Sequence, residues 1–360
     1  QFIILKSKKS AQIVPIFYSC LLSCRRSARV ISSKKSLMSL SSRSHMGMAL
    51  QQDVQQRLYA MRNRAVQLSL PDCYEYDIPL LQAWVQAEGA RTELHRQGTA
   101  AGYTLSSWGG TLGMDAAVSD SWTLGVALTA LYGDFQSRAA DVLRGDVDRY
   151  ALSLVGHYDH CGWNHSVIVA GTWAEADLHR FVPFGNGYST AGRTHGYGLG
   201  VMYEVGYRFT TAEQPLNYVQ PFAYALYSYS SLRGLTETGS DAALHVGSQV
   251  QQACVLGLGV RGQTAIAESS ADRTATLHGR VVLNAHAGDR RGEASVSWAE
   301  GGSAGATVIS ATAGVLGAEL GVGLNIPVGV GSGELYMDAS AELRAHSVEI
   351  FGNIGYRCRF

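Results

Sequence analysis

One predicted turn gathers the side chains most suited to binding a metal: His157, Asp159, His160, Cys161 and His165. Imidazole, carboxylate and thiolate are all competent ligands. The spacing argues against a site. In an extended chain His157 and His160 point to opposite faces, unlike a pair at i, i+4 on a helix. The group reads as turn residues, and no metal is expected. Gly257-Leu-Gly259-Val-Arg-Gly262 satisfies the dinucleotide pattern G-x-G-x-x-G, which needs a helix starting at the glycines. Here the glycines sit inside a long alternating run, so they are expected to let a lumenal helix approach closely. Hydrolysis would need a nucleophile beside a base, or paired acids. His165 and Ser166 are neighbours and face opposite ways. His278 and His286 share a parity with Arg280 and Asn284, and no acid can be assigned to them. Cys20, Cys24, Cys73, Cys161, Cys254 and Cys358 fit neither a metal set nor a small disulfide framework. No catalytic residue, cofactor or metal is expected, and the chain is not read as an enzyme.

The elements that would position these residues are long strands. In the last fourteen residues Val348, Ile350, Gly352, Ile354, Tyr356, Cys358 and Phe360 hold one parity. Glu349, Phe351, Asn353, Gly355, Arg357 and Arg359 hold the other. Alternation gives such a strand one apolar and one wet side. It is longer than the ~9–11 residues that a tilted strand needs to cross a bilayer core. As a soluble edge it would invite aggregation. In a membrane barrel its neighbour closes it, and its apolar side meets lipid.

Composition agrees. The 360 residues hold 29 basic and 29 acidic side chains, and 16% are charged, below the usual quarter. Glycine is abundant at 41 and tyrosine at 18, with 7 prolines. No run of about 18 apolar residues makes a transmembrane helix. The balanced charge does not suit a nucleic-acid binder.

The first acid is Asp53; before it lie Lys6, Lys8, Lys9, Arg25, Arg26, Arg29, Lys34, Lys35 and Arg43. The sequence begins on Gln1 rather than Met, as a piece of a longer chain would. Residues 1–45 are expected to be a basic, serine-rich leader or passenger remnant, disordered in isolation. Their apolar stretch is short, holds Pro15 and makes a poor signal peptide. Residues 46–68 are predicted as a helix, since Leu50, Val54, Leu58, Met61 and Ala65 recur at helical spacing. Asp53, Arg57, Arg62 and Arg64 mark it as a helix for a polar pore. Pro71 and the acidic stretch Asp72 to Asp77 end it. Residues 46–80 thus form a linker with a pore helix.

From residue 81 to the end the period is two. Twelve strands are predicted near 81–93, 101–118, 121–137, 146–159, 162–180, 193–210, 217–233, 245–263, 273–288, 310–327, 332–345 and 347–360. Short turns at Ser119-Asp120, Asp159 to Cys161 and Val328 to Gly331 would fall at one end. The long connections 181–192, 234–244 and 289–309 would fall at the other, which is the outer-membrane pattern. A soluble sandwich has strands of typically about 5–6 residues, against about 13–18 here. The fold class is therefore an all-β membrane protein: a twelve-stranded antiparallel transmembrane barrel with an N-terminal helix in its pore. Lumen-facing residues are expected to include Glu88, Asp115, Glu204 and Arg208. Arg280, Glu319, Glu342 and Arg357 complete the set, and the acids would pair with Arg57, Arg62 and Arg64.

The chain from about Met46 to Phe360 resembles the autotransporter β-domain, the translocator of type V secretion in Gram-negative bacteria. A helix with Arg57-Leu-Tyr-Ala-Met-Arg62 leads into Leu81-Gln-Ala-Trp84. Gly109, Gly113 and Asp115 match a Gly-x-x-x-Gly-x-Asp pattern. Gly145-Asp-Val-Asp-Arg-Tyr150 opens the fourth strand, and the chain closes in Tyr356-Arg-Cys-Arg-Phe360. The resemblance implies a bacterial outer-membrane location and export of a segment fused upstream. It implies a helix that plugs the lumen after secretion. It also implies that Tyr356 and Phe360 form a signal read by the barrel-assembly machinery. Outer-membrane lipid and periplasmic chaperones are the other partners, and the barrel is expected to be monomeric. Passengers of the family are long, β-helical and rich in Gly, Asn and Thr; residues 1–45 are not, so the passenger is expected to be absent or truncated here. Members that cut the passenger free carry adjacent asparagines in the helix. Asn63 is followed by Arg64, so self-cleavage is not expected. The other function considered is a plain outer-membrane barrel, a porin or surface adhesin, which would not need the helix.

Overall fold

The computed structural model describes residues 45–67, 81–98, 100–138, 143–182, 187–211, 214–269, 273–300, 305–328 and 333–360. The segment expected to be disordered, and the stretch from Pro71 to Asp77, lie outside the described residues. The period-two pattern produces long strands: β1 (Leu81–Leu94), β2 (Tyr103–Ala117), β3 (Trp122–Ser137), β4 (Leu143–His160), β5 (Trp163–Val182) and β6 (Tyr188–Tyr207). A short β7 (Phe209–Thr211) leads to β8 (Gln214–Leu232), then β11 (Gln249–Ser269) and β12 (Arg273–Gly288). β15 (Leu316–Val328), β16 (Gly333–Arg344) and β17 (Ser347–Arg359) complete the wall. Neighbours pair antiparallel in chain order, and β17 pairs β1 with Trp84 opposite Arg357. That last pairing closes twelve strands into a barrel and leaves no edge in it.

Apolar side chains of one parity face out. Leu112, Leu128, Leu152, Leu199, Leu258, Leu283 and Leu320 are all exposed, as a lipid-facing band requires. Aromatic residues rim the band at both ends. Trp108 packs on Tyr132 at the long-loop end, their ring centroids 5.5 Å apart. Trp122–Tyr158 and Trp163–Tyr207 do so at the short-turn end, at 5.1 and 5.2 Å. The Cys161–Gly162 turn there has both residues at positive φ, 49° and 82°. Left-handed pairs of this kind match the twist of a two-residue hairpin.

The helix α1 (His45–Gln67) lies inside. Its Met, Ala, Leu, Gln and Arg residues are good helix formers. At 1.5 Å per residue it is roughly 34 Å long.

The long connections do not remain loops. Residues 234–248 contain β9 (Leu235–Thr236) and β10 (Leu244–Val246), and residues 289–315 contain β13 (Glu293–Trp298) and β14 (Ala306–Ile309). They form a separate four-stranded sheet in the order β14-β13-β10-β9. Two boundaries predicted from the pattern are corrected by it. The strand near 245–263 divides into β10 and β11, and the strand near 310–327 begins at Leu316, because the residues before it leave the wall for the cap.

Outward-facing positions are expected to punish charge according to depth. Val322 is the middle of β15 and Leu316 its first residue. Val322→Arg should cost ~2–4 kcal/mol and Leu316→Arg only ~0–1 kcal/mol. Urea unfolding in lipid vesicles measures both, and equal costs would contradict a lipid-facing wall.

Candidate functional site: the plugged lumen

One face of α1 is apolar and meets a groove without side chains. Leu50, Val54 and Leu58 lie over Gly196, Gly198 and Gly200 of β6. A Cβ added to those glycines would stand 2.7 Å from Leu50, 2.4 Å from Val54 and 2.6 Å from Leu58. The helix can seat only where these positions are bare. Gly257 and Gly259 play a different part from the one expected of them. A Cβ at Gly257 would stand 2.1 Å from the Tyr224 ring, and at Gly259 2.7 Å from the Phe222 ring. They make room for aromatics of the neighbouring strand β8, whose rings fill the space in front of them.

The other faces of the helix are polar and tied to the wall. Asp53 is ion-paired with Arg149 of β4. The Arg57 guanidinium donates to Glu88 Oε1 at 2.7 Å, to Thr111 Oγ1 at 3.0 Å and to Ser153 Oγ at 3.3 Å. Gln55 donates to Ser228 and Gln56 to Thr92, at 3.2 and 3.0 Å. Lower down, Arg62 Nη2 donates to both oxygens of Glu319, at 2.7 and 3.0 Å. Its guanidinium also lies 5.1 and 5.0 Å from the Tyr59 and Tyr224 ring centroids. Glu319 is shared with Arg280, which reaches on to Asp338. Asn63 Nδ2 points at Asp338 Oδ1 from 3.4 Å. All of the wall residues among these partners are buried.

The sequence-predicted residues distribute as follows. Asp53, Arg57 and Arg62 lie on the helix and in contact with the wall, whereas the side chain of Arg64 lies outside the described residues. Glu88, Glu319 and Glu342 face the lumen near the helix. Asp115 was expected beside a helix arginine; it sits near the short-turn end and accepts from Gln82 at 3.2 Å instead. Glu204 pairs with Arg261 at 2.5 Å, and Arg208 with Asp159 at 3.1 Å, in a second network below the helix. Arg357 is held by Glu334 of β16 at 2.8 Å. Tyr356 and Phe360 face outward, and the Phe360 amide donates to Leu81 O at 2.9 Å. Arg149, Arg261 and Asp338 were not among the predicted residues, although the lumenal parity of their strands contains all three.

The turn cluster separates. His157 faces the lumen, bonded to Ser166 and Asn164 at 2.9 and 3.1 Å, while His165 faces out against Tyr203. Among the described residues no three such side chains converge as a metal site.

Little space remains beside the helix. Cavities lined by Arg57 and Glu88, by Tyr59 and Glu349, and by Arg62 and Asp338 measure about 10, 20 and 30 Å³. A water needs roughly 10–15 Å³. At the long-loop end Met46, Met48, Ala49 and Leu50 share one buried apolar cluster with Leu235, Leu244, Val296 and Val308 of the small sheet. Arg180 of β5 clamps that sheet through Glu237, at 3.1 and 2.5 Å, and through Ala242 O at 2.7 Å. The barrel is therefore filled along its axis and capped at one end.

The glycine groove makes a coupling measurable. Gly198→Ala should destabilise the protein by ~1–3 kcal/mol through overpacking. Val54→Ala in the same chain should recover part of that loss, the part due to Val54, while the close approach to Thr172 Oγ1 at 2.7 Å remains. Urea unfolding of the two single variants and the double variant checks it; additive losses would mean that the helix does not sit in the groove.

Comparison with known proteins places this architecture. Residues 83–340 match the family model of the autotransporter beta-domain. An extracellular serine protease of Serratia marcescens is 28% identical over 190 residues, covering 51% of this chain and 17% of that protein. The chain thus spans less than a fifth of that relative's length. The translocator domain of the autotransporter NalP from Neisseria meningitidis has a TM-score of 0.66 at 13% identity, over 90% of this chain and 99% of that one. The beta domain of the Bordetella autotransporter BrkA has a TM-score of 0.56 at 17% identity, over 78% of this chain and all of that one (100%). At these identities the two structures bear on the fold alone, and the family match covers well over half of the sequence. The chain belongs to the autotransporter β-domain family, the translocator barrels of the bacterial outer membrane.

Proposed function

We propose that this domain carries a segment attached upstream of His45 across the outer membrane, and that α1 is the stretch left in the lumen when transit ends. One observation carries the reading: the helix runs lengthwise with its first residues at the long-loop end. Met48 meets Ser310 beneath the cap, with Ser310 Oγ 2.9 Å from Met48 Sδ. Leu81 and Phe360 lie together at the opposite end, joined by a backbone hydrogen bond of 2.9 Å. In an outer-membrane barrel the short turns face the periplasm and the long loops the exterior. Whatever precedes His45 is then outside, while the barrel begins and ends inside. On this reading the domains are a leader or passenger remnant over 1–45, which gives up His45 to the helix, a linker with the pore helix over 46–80, and the translocator from 81.

A plain porin would leave this helix without a purpose. The match to an extracellular serine protease transfers no proteolytic activity to these residues, and the domain is read as non-catalytic. Its further partners are the barrel-assembly machinery and periplasmic chaperones, with Tyr356 and Phe360 as the terminal signal.

An epitope inserted before His45 and probed on intact cells tests export directly. The epitope should be displayed at the surface. A folded barrel with the epitope held in the periplasm would overturn the reading in favour of a plain barrel. Deleting residues 1–70 should leave a folded barrel with much larger single-channel conductance than the full chain. Unchanged conductance would show that the helix is not a plug.

Deleting Phe360 tests the assembly signal. One terminal aromatic contributes only ~1–3 kcal/mol by burial. Outer-membrane yield in cells should drop sharply, while urea unfolding of refolded protein in lipid changes little. Normal yield would remove the assembly role.

A further inference from the structure

Among the described residues, the sheet that caps the pore has one covered edge and one bare edge. At β9 the chain continues into Thr238, which exchanges two backbone hydrogen bonds with Ala191 of β6, at 3.0 and 2.9 Å. At the other side β14 has β13 as its only strand partner among the described residues. Ser310 N donates to Gly292 O at 2.9 Å, which fixes the phase of this ladder. Hydrogen-bonded pairs alternate along antiparallel strands. Val308 and Ala306 therefore bond Ala294 and Val296, while the N–H and C=O groups of Thr307 and Ile309 point away from β13.

Natural edges are blunted by shortness, charge, proline or a bulge, and β14 at four residues uses the first of these, so it can take up only a short segment. Ala306-Thr-Val-Ile309 has no charge, proline or bulge, and three of its four residues are β-branched. Thr307 and Ile309 are exposed, and Val308 is buried against the helix cluster. This is a strand-addition template, where main-chain bonds give affinity.

Its position names the occupant. Ser310 touches Met48, and His45 stands only three residues above Met48, about 4.5 Å along the axis. His45 packs on Tyr103 with ring centroids 5.1 Å apart and planes tilted by 43°, so the helix begins beneath the cap. Another 44 residues precede it in this sequence. We propose that the segment immediately upstream of His45 adds to β14 as an extended fifth strand of the cap. The proposal rests on the export reading, which puts that segment outside. Tethering gives it a high effective concentration at the edge, which a second copy of the chain lacks. The first stretch of exported polypeptide would then be ordered on the domain's own outer sheet and would cover its one bare edge.

Residue-resolved amide exchange on the full chain refolded in lipid discs tests this. Thr307 and Ile309 amides should exchange at least about tenfold slower than open chain, in the range of Val308. Removing residues 1–44 should return Thr307 and Ile309 to open-chain rates and leave Val308 protected. Thr307 and Ile309 exchanging freely in the full chain would overturn the proposal. So would protection that survives the truncation, and light scattering would then show whether a second copy holds the edge. The epitope before His45 separates the two failures. An epitope that never reaches the surface sinks export itself, whereas a displayed epitope with an unprotected β14 sinks only the fifth strand.

Discussion

Inside hydrocarbon a strand has no water to bond its N–H and C=O groups, so the pairing of β1 with β17 is the interaction on which everything else depends. Closure at twelve strands has a consequence for the interior. Eight strands make a barrel that its own side chains can just fill, and diameter grows with strand number. A twelve-stranded wall encloses more volume than its lumenal residues occupy, even with Trp84, Tyr224 and Tyr336 turned inward. The helix supplies the missing mass, and the bare row at Gly196, Gly198 and Gly200 is the cut that admits it.

The chemistry of the wall follows from the same closure. A lumen that holds a helix at one stage and water or an extended chain at another cannot be apolar. Buried polar groups must nevertheless be bonded when the helix is in place. The helix answers with Gln55, Gln56, Arg57 and Arg62, each matched to a wall residue. The polar contacts alternate with two buried apolar clusters: Met46, Met48 and Leu50 pack under the cap sheet at the long-loop end, and Leu58 and Met61 pack lower down against Ile168, Met202 and Phe222 of the wall.

The wall was legible because period-two alternation is enforced twice, by lipid outside and by polar lumen inside, over long strands. The tips of the strands obey neither solvent, and there the pattern lapsed. Leu235–Thr236, Leu244–Val246 and Ala306–Ile309 are two, three and four residues long, too short to show a period. The cap is a product of tertiary contact with the helix and could not be read locally. At the site, parity told which residues face the lumen but carried no height. Glu88 and Asp115 share that face, yet Asp115 lies two residues before the end of β2, near the short-turn mouth, and Glu88 lies mid-strand. Arg57 therefore finds Glu88. Counting residues from each turn would have separated the two acids. Arg149 and Asp338 were within reach of the same count.

The buried ion pairs say more about position than about stability. Replacing such pairs with apolar residues is often neutral or stabilising, so their presence is weak grounds for a stability role. Their geometry suits another one. Asp53, Arg57 and Arg62 meet β4, β1 and β15, three separated parts of the wall. Sliding the helix by one residue moves it about 1.5 Å and turns it by about 100°, which misaligns all three together. Each misaligned charge would be left buried without its partner, at a cost of several kcal/mol apiece. A uniformly apolar helix would slide along the glycine groove with little penalty. We therefore read the three charges as the device that stops the helix at one depth, with His45 just beneath the cap.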